Sequence, residues 1–232
     1  MIRYSNVSFS YKIGEPIFEL LNLELIPGLT LILGINGCGK TTLLKLGAGV
    51  EYPKAGKVFI DDHDLWEEEI EARRGLAYLP EFPDLTPYAT ILEICNLVCR
   101  LRGEPLTRGS EALRLFGLDQ VSNRSIRELS LGQKRRAIFA AAFIGTPKHI
   151  LLDEPLETMD RRIQDEVLTW IRVHLEAGAV VALVSHRIEP FIDLATRAVG
   201  LKDGRTMIVD SLAGSREEKL KVLESLARSE WS

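Results

Sequence analysis

The chain has 232 residues, 46% hydrophobic and 27% charged, and 29 basic against 33 acidic side chains leave a formal charge of −4. That is enough for one large domain, or one domain with an insert, to bury a core without disulfide or metal staples. The mild acidity argues against a nucleic-acid binder working through a basic face. Three cysteines with no CxxC pair exclude a disulfide framework and a zinc site. The longest apolar run, 137–145, is far short of the ~20 residues that span a bilayer. The opening MIRYSNVSFSYK lacks the apolar core of a signal peptide. These features predict a soluble cytoplasmic protein.

Short apolar runs bounded by Gly, Pro or Asp predict strands over 7–10, 18–25 and 29–33, followed by helical spacing over 40–48. Strands are expected over 57–60 and 76–79, then helices over 91–101, 111–116 and 131–144. The remainder reads as a strand over 150–152, a helix over 163–175, strands over 180–184 and 198–201, and a helix over 220–227. Strands and helices alternate at both ends, which predicts an α/β fold with a mostly parallel sheet and flanking helices. Between 83 and 144 no strand pattern occurs, and this stretch is expected to be a helical insert. Lys202-Asp203-Gly204-Arg205, between two apolar runs, is a hairpin signal. The expected division is 1–82 with 145–210 as the α/β core, 83–144 as the insert and 211–232 as a helical tail. The charged tail from 215 onward reads as an amphipathic helix with a solvated face.

The run at 29–33 leads into Gly34-Ile35-Asn36-Gly37-Cys38-Gly39-Lys40-Thr41-Thr42. This is G-x-x-x-x-G-K-T between a strand and a helix, the setting that gives a phosphate loop its mechanics. Gly34, Gly37 and Gly39 allow the backbone to turn its N–H groups onto phosphate oxygens, and the helix adds the positive end of its dipole. Lys40 reaches the terminal phosphates and the Thr41 hydroxyl holds Mg²⁺. Asn36, Cys38 and Thr42 complete the candidate loop. His149-Ile-Leu-Leu-Asp153-Glu154-Pro155 is an apolar strand ending in two carboxylates, where ligands of parallel sheets sit. Asp153 is the expected metal ligand and Glu154 the general base for water.

Leu129-Ser130-Leu131-Gly132-Gln133, followed by a basic and Ala-rich helix, completes an ordered set of motifs. Together they closely resemble the ATP-binding cassette of ABC transporters, from about residue 2 to 209. Gln133 and Asp153 lie 20 residues apart, which one helix and a short loop account for. The resemblance implies a P-loop NTPase core with an N-terminal antiparallel β portion and an inserted α-helical subdomain. It implies that Tyr11 stacks on adenine, that Asp160 lies in a loop crossing a dimer interface, and that His186 contacts the γ-phosphate. It also implies that Ser130, Leu131, Gly132 and Gln133 meet the ATP bound by a second cassette, in a head-to-tail homodimer or heterodimer. Ser130 and Gly132, at a helix N-terminus, carry donors suited to an anion. The region 86–102 is implied to receive a short helix from a separate transmembrane permease. The chain would then lie on the inner face of the cell membrane.

Two positions depart from the family pattern. Glu81 stands where a glutamine that touches Mg²⁺ and water is expected, and Leu131 replaces the second signature glycine. Cys95 and Cys99 read as small apolar fillers, and Cys38 as a thiol inside the phosphate loop. The alternative reading is a soluble ATPase of the same family acting on nucleic acid or ribosomes. Against it stand the acidic balance and the lack of a coiled-coil arm or second cassette. A nucleotide-binding module without hydrolysis is a third reading, opposed by Glu154 and His186. The transported substrate and its direction are not written in this chain.

Overall fold

The computed structural model describes residues 1–82, 86–157 and 159–231. The expected start of the insert at Pro83, Thr158 of the Leu156–Asp160 loop, and the tail's last residue Ser232 lie outside these. In chain order the elements are β1 (Ile2–Phe9), β2 (Phe18–Leu25), β3 (Gly28–Leu33), α1 (Lys40–Gly47), β4 (Ala55–Ile60), β5 (His63–Asp64), α2 (Glu69–Arg73) and β6 (Leu76–Leu79). Then come α3 (Ile91–Arg102), α4 (Thr107–Leu115), two short 3₁₀ turns, and α5 (Leu131–Ala142). The chain continues through β7 (His149–Asp153), α6 (Arg161–Glu176), β8 (Val180–Val184), β9 (Ala195–Lys202), β10 (Arg205–Val209) and α7 (Arg216–Ala227). It forms two compact units: Met1–Tyr78 with Pro147–Pro155 and Ile171–Ser232, and Leu79–Thr146 with Leu156–Trp170.

The first unit carries an antiparallel sheet in the order β2-β1-β4-β5 and a six-stranded sheet in the order β10-β9-β3-β8-β7-β6. Strands β3, β7, β8 and β9 pair in parallel, and β10 joins β9 antiparallel. Every residue of β7 and β8 is buried, the expected pattern for parallel strands covered on both faces. Each large aliphatic side chain fully buried there contributes roughly 1.5–3 kcal/mol. In β1, Ile2 and Tyr4 point inward, and so do Val7 and Phe9, three and five residues beyond Tyr4. A register shift between Tyr4 and Val7, with Asn6 at φ 49°, restores the inward face that strict alternation would lose. The β9–β10 hairpin turns on Asp203 (φ 49°) and Gly204 (φ 74°), the left-handed pair of a type I′ turn.

The second unit is helical, and its described residues between 86 and 144 contain no strand. Thr90 caps α3 by accepting from the Glu93 N–H, while Glu93 accepts from the Thr90 N–H. Phe143 stacks on Trp170 with centroids 4.7 Å apart. Cys95 and Cys99 are fully buried, and burial pushes the Cys95 thiol up to about 12.

Some elements differ from expectation. β5 and α2 lie in the acidic stretch after β4, where no apolar period announces them. Helix α7 starts at Arg216, earlier than its apolar spacing suggests, because Ser215 and Glu218 form a capping box. As expected of an amphipathic helix, it pairs a solvated face with a buried one, Leu223 and Leu226 being 0% and 2% exposed. Among the described residues no helix is long and apolar enough to cross a membrane.

Candidate functional site

The loop between β3 and α1 is shaped by glycines. Gly34 has φ 145°, and a Cβ there would lie 2.4 Å from the Leu201 carbonyl oxygen and 2.7 Å from Cys38 Sγ. No side chain fits that gap. Gly37, at φ 81°, has open space around it, so backbone conformation alone favours glycine there. Gly39 precedes α1 in a left-handed conformation without a side-chain cap. The first-turn N–H groups of α1 are therefore not satisfied by a cap, which suits them to an anion. Lys40 Nζ donates to the Gly34 and Ile35 carbonyls at 2.8 and 2.9 Å. Thr41 is half-buried and Thr42 buried at the start of α1. Burial pushes the Cys38 thiol up despite the nearby Lys40 ammonium, so it is not an activated nucleophile.

Asp153 ends β7 at 1% exposure, and Glu154 follows it at 4%. Glu154 leaves the strand at φ 49°, a left-handed conformation that costs a non-glycine residue roughly 1 kcal/mol or more. Its N–H donates to the Val184 carbonyl at 2.9 Å. Its carboxylate accepts from the His186 N–H at 2.9 and 3.2 Å, and His186 Nε2 lies 3.6 Å from Oε1. A cavity of about 290 Å³ is lined by the phosphate loop through Asn36 and Lys40, by Ser185, His186 and Ile188, and by Ala227 of α7. Tyr11 is 55% exposed and braced edge-on by Phe9 with centroids 4.9 Å apart, which leaves ring surface for stacking.

The Thr41 hydroxyl and the Asp153 carboxylate are hard oxygen donors, the set Mg²⁺ takes beside phosphate oxygens and water. Among the described residues no three His, Cys, Asp or Glu side chains gather as a metal cage.

In the second unit Ser130 caps α5: its Oγ accepts from the Gln133 N–H at 3.2 Å, and Gln133 Oε1 accepts from the Ser130 N–H at 2.9 Å. Leu131 is 57% exposed and Gly132 has open space around its Cα. Asp160 caps α6 through Oδ1, which accepts from the Ile163 N–H at 3.1 Å. The Glu81 carbonyl accepts from Arg135 at 2.6 Å. A groove of about 490 Å³ runs along α3 past Glu93, Leu97 and Arg100.

A family model described as "ABC transporter" matches residues 19–157. The chain belongs to the ABC transporter family. This cassette is 32% identical over 214 residues to the sulfate/thiosulfate import ATP-binding protein CysA of Mesorhizobium japonicum, covering 88% of the chain and 61% of that relative. It is 30% identical over 222 residues to the spermidine/putrescine import ATP-binding protein PotA of Marinobacter nauticus, covering 94% of the chain and 58% of the relative. The chain therefore spans less than two thirds of these curated relatives. Among solved structures, a dimeric post-hydrolysis state of the cassette MJ0796 bound to ADP and Pi superposes with a TM-score of 0.77 at 25% identity, over 93% of this chain and all of that one.

Three residues of the cassette's surroundings escape the motif reading. Gln164 Nε2 donates to the Leu156 and Met159 carbonyls, bracing the loop that carries Asp160. Tyr78 in β6 has its phenol held up by burial and by the Asp153 charge. Ser185 lies directly before His186. None belongs to a motif, and only Ser185, at the end of a strong apolar strand, stood beside a residue already singled out.

Proposed function

We propose that this chain binds and hydrolyses ATP with Mg²⁺ as the energising subunit of an ABC transporter. One observation carries the reading: a glycine-shaped phosphate loop stands in the same unit as a buried glutamate whose carboxylate is held by the His186 amide. The loop and α1 amides bind the phosphates, and Lys40 neutralises the terminal ones. Mg²⁺ at Thr41 and Asp153 would supply further charge neutralisation on the phosphates. Glu154 orients the attacking water and accepts its proton, while His186 holds the γ-phosphate. Tyr11 stacks on the adenine.

The signature Ser130–Gln133 and the Asp160 loop serve the nucleotide of a second cassette, a copy of this chain or a relative. The dimeric ADP and Pi structure supports that arrangement. Glu81 takes the place of the metal-facing glutamine. The groove along α3 receives a cytoplasmic segment of a separate permease, which holds the cassette on the inner face of the membrane. The relatives' names favour transport over action on nucleic acid, and import over export. Their cargoes, an inorganic anion and polyamines, differ at nearly equal identity, so specificity is assigned to the permease. Phosphate release from MgATP by the purified chain tests the proposal. No release, alone or with its permease, contradicts it.

A further inference from the structure

The turn after β8 contains a hydrogen-bonded ring that the scheme above does not use. Ser185 is buried at 7% exposure, and its Oγ donates to the Arg187 carbonyl while accepting from the Arg187 N–H, both at 3.1 Å. A hydroxyl can do both because it has one donor and two lone pairs. The ring closes residues 185–187 on themselves and restricts the peptide that carries the His186 N–H. That N–H is the group donating to both oxygens of the Glu154 carboxylate. On the other side of Ser185, Val184 accepts from the Glu154 N–H. The two neighbours of Ser185 thus hold Glu154 by its backbone and by its side chain.

We infer that Ser185 is a positioning residue for Glu154: its hydroxyl locks the 185–187 turn and so aims the His186 N–H and imidazole at the carboxylate. The inference rests on the ATPase reading and deepens it. Both partners of the hydroxyl lie within the turn, so Ser185 acts through Glu154 and His186. Alanine removes both bonds and lets the turn relax, whereas threonine keeps the hydroxyl.

The test compares Ser185→Ala, Ser185→Thr and Lys40→Ala in the full chain, measuring kcat and KM for MgATP and the Kd of ATP in chelator by calorimetry. Ser185→Ala lowers kcat about tenfold, about 1.4 kcal/mol of barrier, and leaves KM and Kd within about twofold. Ser185→Thr returns most of the lost turnover. An unchanged kcat in Ser185→Ala overturns the inference. So does a joint loss of turnover and nucleotide affinity that threonine does not restore, since that marks a merely structural residue. Full turnover in Lys40→Ala instead overturns the phosphate-site reading itself, whatever Ser185 does.

Discussion

The Lys40 ammonium lies 2.8 Å from the carbonyl oxygen of Gly34, the first glycine of the loop that Lys40 closes. With the Ile35 carbonyl as its second acceptor at 2.9 Å, the ammonium is held against the loop it closes. Lys40→Ala removes a charge-assisted donor from the terminal phosphates. By analogy with loss of one preorganised anion donor, hydrolysis falls about 100-fold or more. The lysine is partly exposed, so the melting temperature moves little. Steady-state phosphate release and a thermal melt check both; turnover within twofold of the parent contradicts the assignment.

Glu81 supplies a second prediction. An ionised glutamate offers two anionic oxygens and no donor, where glutamine offers one neutral carbonyl and an NH₂. Where the proposed metal-facing role holds, its charge repels ATP more when no cation compensates. Glu81→Gln therefore tightens ATP measured in chelator while changing MgATP affinity less. Calorimetric titrations with and without Mg²⁺ decide it, and an equal shift in both, or none, refutes the metal-linked role.

A third concerns acid. Backbone and hydroxyl donors of Thr90 and Ser215 hold Glu93 and Glu218 below the usual carboxylate range. A carboxyl with a lowered folded pKa stabilises above its unfolded value of about 4.3, and the stabilisation is lost as pH falls through that value towards the folded one. The corresponding cap of α5 uses Gln133, which does not titrate. As pH falls from about 5 to about 2, amide protection factors at the first turns of α3 and α7 should drop while those at Gln133 hold. Glu93→Gln should make α3 indifferent to pH. A uniform fall at all three helices would contradict this account.

How far the sequence carried the reading varies with the element. Strands β2, β6 and β8 keep the predicted bounds: β8 is a continuous buried apolar run, whereas β2 and β6 intersperse buried apolar positions with more exposed ones. The phosphate loop and the Asp153-Glu154 pair are local patterns whose geometry follows from a strand, a turn and a helix. In helix α7 charged residues outnumber Leu223 and Leu226, so the spacing marks an amphipathic helix but not how completely packing buries those two. Its start, within the tail expected to be helical from 215 onward, is fixed by Ser215 and Glu218, spaced as a capping box. Gln164 gave no signal and Ser185 only its place beside His186, since their work is to bond backbone groups that only the folded turns bring within reach.

The account depends most on Glu154 acting as the base at a site completed by a second cassette. Glu154→Gln keeps the shape and hydrogen-bonding size of the side chain but cannot take a proton from water. With MgATP the variant should bind nucleotide without cleaving it and shift from monomer to dimer, because ATP then stabilises the paired state by mass action. Light scattering, run beside a phosphate-release assay, measures both at once. The account predicts a dimer of doubled mass with hydrolysis abolished; normal hydrolysis, or a monomer persisting at high protein and high MgATP, would contradict it.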